Sequence, residues 1–264
     1  MDINKKIENI LREIETKEQV KILLAVESGS RAWGFASPDS DYDVRFIYVR
    51  PMEEYLRLDA PRDVIEWQLD EILDVNGWDL KKALIQFHKG NPVLFEWSNS
   101  PIQYKTTKAW EEIYRTASAY FSAKAGICHY YGTARNTFET YLTGEQVKYK
   151  KYFYALRPLL ACRYIETQGG PPPVLFDRLL DLPLPQVLKE DIDRLIRIKK
   201  ATAEADARPQ MPGIYQFIKN ELDVQKTYAD SLPDDHRQDW RPLNRAFLHL
   251  LENFGGSEDC SHDL

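Results

Sequence analysis

The stretch Glu27-Ser28-Gly29-Ser30-Arg31-Ala32-Trp33-Gly34-Phe35-Ala36-Ser37-Pro38-Asp39-Ser40-Asp41-Tyr42-Asp43-Val44-Arg45 sets a tight backbone turn beside a pair of carboxylates. The run Val20 to Val26 before it is apolar enough for a buried strand, and Ser28-Gly29-Ser30 closes that strand with residues that expose backbone N–H groups. A short helix over Arg31 to Phe35 would converge those N–H groups and the Ser30 hydroxyl on an anion. Pro38-Asp39-Ser40 predicts a turn into a second strand, Asp41 to Val49. Side chains alternate along a strand, so Asp41 and Asp43 share a face. Two carboxylates on one face repel unless they are solvated or hold a cation such as Mg2+, which takes oxygen ligands from carboxylates and phosphates.

Working outward, Ile3, Ile7, Ile10, Leu11 and Ile14 recur at helical spacing and predict an amphipathic first helix. Val64 to Leu69 begins a third extended region running to Val75, and Asn76-Gly77 reads as a turn or bulge. Asp79 is placed to cap a helix over Leu80 to His88, which Gly90-Asn91-Pro92 ends. From Ala109 onward the pattern is helical, with runs at Trp110 to Cys128, His129 to Leu142, Val147 to Gln168 and Gln186 to Ala205, and Gly169 to Pro173 breaks the series. The expected class is α+β: a mixed sheet with helices over residues 1–108, a helical domain over 109–254 that closes over the site, and a disordered polar tail at 255–264.

Composition narrows the function classes. With 264 residues and 43% hydrophobic content there is material for a generous core. No segment approaches the roughly 20 apolar residues of a membrane span, so a cytoplasmic protein without a membrane partner is expected. Cys128, Cys162 and Cys260 match no metal-knuckle spacing. The net charge of −6 argues against a surface that coats nucleic acid, but it is unevenly spread. Residues 1–80 carry ten Lys/Arg against eighteen Asp/Glu, and residues 121–170 carry seven against three. An acidic half facing a basic half suits a site for metals and a triphosphate.

Gly29-Ser30 followed by Asp41-x-Asp43 resembles the signature of the DNA polymerase β-like nucleotidyltransferase superfamily. The wording Gly-Ser-Arg-Ala-Trp-Gly-Phe and Ser-Asp-Tyr-Asp-Val-Arg is similar to a family of bacterial and phage nucleotidyltransferases with an RNA-repair branch. Gly77 to Leu84, Gly90-Asn91-Pro92, Glu96-Trp97 and Tyr149 to Pro158 also look like family landmarks, so the resemblance covers most of residues 20–165 and extends more loosely toward 225. It implies an enzyme that moves a nucleoside monophosphate from a nucleoside triphosphate to an acceptor hydroxyl, with Mg2+ or Mn2+ as cofactor. Asp41 and Asp43 would hold the metals, and the superfamily pattern adds a third carboxylate from a neighbouring strand. Asp74 is the first choice for it, Asp70 the close alternative, and Asp79 reads better as a helix cap.

Lys150, Tyr154 and Arg157 fall on one face of a predicted helix and are expected, with Gly29, Ser30 and Arg31, to bind the nucleotide. Arg31 and Arg45 flank the motif, where each could touch phosphate or pair with a carboxylate. The acceptor is not legible: an RNA or DNA end follows by analogy with the RNA-repair branch, while protein or small-molecule acceptors stay open. An antitoxin-like or regulatory nucleotide-binding partner protein, without transfer, is the alternative reading.

Overall fold

A computed structural model describes residues 2–37, 40–70, 72–201 and 207–254. The expected turn at Pro38-Asp39 and the expected tail at 255–264 lie outside the described residues.

The first half builds one sheet. Helix α1 (Ile3–Glu18) presents Ile7, Ile10, Leu11 and Ile14 inward, as the periodicity requires. Strand β1 (Lys21–Glu27) leads into a single turn of helix, α2 (Gly29–Ala32), then β2 (Tyr42–Val49), α3 (Met52–Tyr55), β3 (Val64–Asp70) and β4 (Leu73–Asp79). Helices α4 (Leu80–His88) and α5 (Pro92–Ser98) precede β5 (Gln103–Thr106). The strand order is β3-β4-β2-β1-β5, with β2 parallel to β4 and the other neighbours antiparallel.

Alternation along β2 divides the core. Val44, Phe46 and Tyr48 join Ile7, Ile14 and Ile22 under α1, while Ile47 and Val49 join Leu23, Leu80, Phe87 and Phe95 on the opposite face. By the same alternation Asp43 and Arg45 lie on the face that carries α4 and α5, beyond the end of its apolar core.

The second half is helical: α6 (Lys108–Ala117), α7 (Ala123–Tyr141), β6 (Gln146–Lys148), α8 (Tyr149–Gln168), α9 (Phe176–Leu179), α10 (Gln186–Ala201), β7 (Ala207–Pro209), α11 (Pro212–Ser231) and α12 (Arg241–Phe254). Helix α8 is buried around most of its girth and packs against α7, α9, α10 and α11. Phe35, just after the Gly-Ser turn, stacks on Phe153 of α8 at 4.6 Å and meets Phe176 edge-on at 5.5 Å. The segment after α2 is thereby anchored in the helical core. Helix α12 returns to the other half, where Leu243 and Leu251 join the core that contains Leu23 and Val49.

Three expectations are corrected. The extended region from Val64 is two antiparallel strands rather than one, and Asn76-Gly77 lies inside β4. The Phe46 ring explains that glycine, because a Cβ there would sit 2.1 Å from Phe46 Cε2. The run Trp110 to Cys128 breaks at Ser122, a fully buried residue whose hydroxyl accepts from the Ala125 amide and so starts α7.

Candidate active site

The site is assembled where β1 ends and β2 and β4 begin. Parallel pairing sets Asp43 directly opposite Asp74. Asp74, the first choice for a third carboxylate, therefore stands beside Asp43 on the neighbouring strand. Arg45 bridges the two: its Nη2 lies 3.2 Å from Asp43 Oδ1 and 2.7 Å from Asp74 Oδ2. Asp70 belongs to β3 and pairs in backbone register with Leu73. Asp79 closes β4, accepts from the Lys81 amide at 2.8 Å and caps α4.

The end of β1 fixes Asp43 through its backbone. The Ser28 amide donates to the Asp43 carbonyl at 2.8 Å, and the Asp43 amide donates to Glu27 Oε1 at 2.8 Å. Glu27 is buried, and its other oxygen accepts a hydrogen bond from the Tyr104 hydroxyl. Gly29 has φ +61, and a Cβ on it would fall 2.2 Å from Asp43 Oδ2. The glycine thus supplies a left-handed turn and also the room that the carboxylate occupies.

Charge is concentrated here at a cost. Burial raises the Asp43 carboxyl above its ordinary value; Arg45 pulls it back, Asp74 and Asp41 push it up, and Lys150 lowers it. Burial likewise raises Glu27, against the hydrogen bonds from Tyr104 and the Asp43 amide. An arrangement in which carboxylates raise one another favours a cation among them.

The remaining expected residues divide. Arg31 donates through Nε to the Asp41 carbonyl at 3.0 Å and through Nη2 to the Ser40 carbonyl at 2.5 Å, with its guanidinium 3.6 Å from the centre of the Tyr42 ring. It clasps the loop ahead of β2. Ser30 is buried within α2. Lys150 opens α8 near enough for its charge to act on Asp43, and Tyr154 meets Trp33 edge-on at 5.6 Å.

Arg157 is withdrawn from the phosphate-binding role expected of it. Its side chain is 3% exposed and pairs with Glu96 of α5 at 2.9 Å. The guanidinium also lies 4.5 Å from the centre of the Trp33 ring. Glu96 Oε1 accepts from the Tyr130 hydroxyl at 2.6 Å as well, so this node joins α5, α7 and α8. Helical phase puts Lys150 and Arg157 on one side of α8 but does not say what that side meets.

Sequence reasoning passed over Glu27 and Tyr104. The signal available was a lone carboxylate ending the apolar run Ile22 to Val26, a residue that folding buries only with partners.

The carboxylates of Asp41, Asp43 and Asp74 are hard oxygen donors of the kind that Mg2+ or Mn2+ takes. Elsewhere, among the described residues, ligand atoms of Asp234, Asp235 and His236 lie within 4.8 Å of one another. Those atoms already serve the fold. Asp235 accepts from the Ser122 hydroxyl and the Ala123 amide at 2.5 and 2.7 Å. Asp234 meets His236 Nδ1 at 2.5 Å, and His236 Nε2 lies 2.9 Å from the Lys89 carbonyl oxygen.

Comparison with known proteins finds a family and relatives similar to this chain. A model of the RNA repair pathway DNA polymerase beta family matches residues 3–249. YcgL, an uncharacterized protein of Bacillus subtilis (strain 168), is 42% identical over 252 residues, which span 94% of this chain and 97% of that protein. The crystal structure of a nucleotidyltransferase-like protein from Exiguobacterium sibiricum 255-15 is similar over 94% of this chain and 80% of that one, at 12% identity. Its TM-score of 0.27 is too low to carry an argument. No helix among the described residues is long and apolar enough to cross a membrane. The chain belongs to the RNA repair pathway DNA polymerase beta family.

Proposed function

We propose that this member of the RNA repair pathway DNA polymerase beta family transfers a nucleoside monophosphate from a nucleoside triphosphate to the hydroxyl of a nucleic-acid end, in the cytoplasm. The observation that carries the reading is the register of β2 and β4, which sets Asp43 beside Asp74 at the mouth of the Gly29 turn. Asp41, Asp43 and Asp74 would hold Mg2+ or Mn2+, which when bound neutralises phosphate charge and favours ionisation of the acceptor hydroxyl.

In the proposed reaction the acceptor oxygen attacks the α-phosphorus, the bond from that phosphorus to the bridging oxygen breaks, and pyrophosphate leaves. Asp74, whose side chain is 55% exposed, is assigned to receive the acceptor proton. The Gly29-Ser30 backbone and Lys150 are assigned to the triphosphate. Glu27 holds the Asp43 backbone in place.

The acceptor assignment is supported by a basic and aromatic patch at the start of α8. Lys151 lies 3.9 Å from the centre of the Tyr141 ring and 5.5 Å from that of Tyr154, and Arg208 lies 6.0 Å from that of Tyr149. Lysines interleaved with tyrosines suit a strand that is gripped by its phosphates and stacked by its bases.

The test is incubation with each α-labelled nucleoside triphosphate, Mg2+ or Mn2+, and separate pools of RNA, DNA, protein and metabolites. Label should enter nucleic acid with release of pyrophosphate, and Asp41→Ala or Asp43→Ala should lower turnover by orders of magnitude while circular dichroism stays unchanged. Label entering protein or metabolites would refute the acceptor assignment. Tight nucleotide binding with no label in any pool would refute transfer and favour a regulatory partner role.

A further inference from the structure

Arg45 stands where the electrostatics of the carboxylate pair call for a cation. Besides its contacts to Asp43 and Asp74, its Nη1 donates to the backbone carbonyls of Val44 and Asp74, each at 3.1 Å. Its side chain is 18% exposed, against 33% for Asp43 and 55% for Asp74. The guanidinium is therefore a fitted part of the site. It relieves the mutual repulsion of two carboxylates on adjacent strands, the demand that a divalent cation would otherwise meet. A guanidinium and a divalent cation repel each other, so both cannot be held at one point between Asp43 and Asp74.

We propose that Arg45 is a resident counter-ion that a divalent cation displaces, and that the released guanidinium turns to the phosphates of the nucleotide. This rests on the reading of Asp43 and Asp74 as metal ligands. Without metal, Arg45 keeps the two aspartates in register. Metal alone must compete with it, so metal alone binds weakly. A polyphosphate offers the displaced fork another anion, which suits its planar donors. Metal and polyphosphate then assist one another, and by linkage each tightens the other by the same factor.

The test uses the full chain, with Mn2+ binding read from the resonance of free Mn2+ and tripolyphosphate binding read by calorimetry at saturating Mn2+. Arg45→Gln removes the competing charge. It should bind Mn2+ alone about tenfold more tightly than wild type and tripolyphosphate about tenfold more weakly, the worth of one charge-assisted hydrogen bond. Arg45→Lys, which keeps a charge but lacks the fork, should move both affinities the same way by a smaller factor and serves where glutamine does not fold. A merely structural arginine would weaken both ligands on removal. Mn2+ affinity unchanged or lowered in both variants would overturn the proposal, and it falls alone if Asp43→Asn abolishes a wild-type Mn2+ site that is indifferent to Arg45. Failure of the wild type to bind Mn2+, with or without tripolyphosphate, would overturn the metal reading and this proposal together.

Discussion

Replacing Arg157 by methionine is expected to cost the fold about 3–5 kcal/mol, the range for removing one partner of a buried ion pair. The contacts account for that size. The pair with Glu96 at 2.9 Å is charge-assisted and worth about 1.5–3 kcal/mol. The guanidinium over Trp33 at 4.5 Å adds about 0.5–2 kcal/mol. Methionine fills most of the volume of the arginine stem, so the cavity term is small. What remains is Glu96, 15% exposed, with the Tyr130 hydroxyl as its surviving partner in this node. The assay is urea denaturation of the full chain followed by tryptophan fluorescence, with the slope checked so that the midpoint reports stability. A companion variant, Arg157→Met with Glu96→Leu, removes both charges and should be less destabilised than the sum of the single changes, because no unpaired charge is left buried. A loss under about 1 kcal/mol in the single variant, or simple additivity in the double, would refute the structural role. If Arg157 instead gripped phosphate, its replacement would leave the denaturation midpoint near wild type and weaken triphosphate binding by roughly ten- to a hundredfold.

Gly29→Ala should destabilise the chain by at least the roughly 1–2 kcal/mol of a left-handed alanine and should reduce Mn2+ binding, since its Cβ would fall 2.2 Å from Asp43 Oδ2; wild-type melting and metal titration together would refute this. Asp79 tests the pH dependence of the fold. Burial raises its folded carboxyl above 3.8, against the hydrogen bonds from Tyr55 and the Lys81 amide. Between 3.8 and the raised value the folded chain holds more protons than the unfolded chain, so this group's contribution to stability falls as pH rises through that window and stays lost above it. Asp79→Asn keeps a capping oxygen for Lys81 and should remove that fall. A wild-type minus variant stability difference that stays flat from pH 3.8 upward would show the shift to be absent.

What the sequence made legible was set by local geometry. Gly29 and Asp43 lie within fifteen residues of one another, and a glycine turn after one strand with an aspartate at the start of the next is a local signal, so their close approach could be read from spacing. The position of Asp74 opposite Asp43 depends on pairing between β2 and β4, which no local signal determines. Gly77 is opaque to a local reading for the same reason, since its cause is the Phe46 ring of another strand. Arg157 shows the limit of periodicity, because phase orders side chains around a helix, whereas α8 is enclosed by neighbours that phase does not name. Ser122 interrupts a run that looked continuous because its stop signal is a capping hydroxyl, and serine also occurs inside helices.

The return of α12 to the sheet has a consequence for biogenesis. Leu243 and Leu251 complete the apolar layer that Leu23 begins, so that layer joins parts of the chain more than 200 residues apart. Contacts of such separation form late, because closing the loop costs entropy before any burial repays it. On a ribosome adding about 5–20 residues per second, the sheet would wait roughly 7–30 seconds after residue 108 before α12 is synthesised. Throughout that interval the surface around Leu23 and Val49 lacks its final cover, and a nascent chain stalled short of α12 would present an adhesive patch to its neighbours.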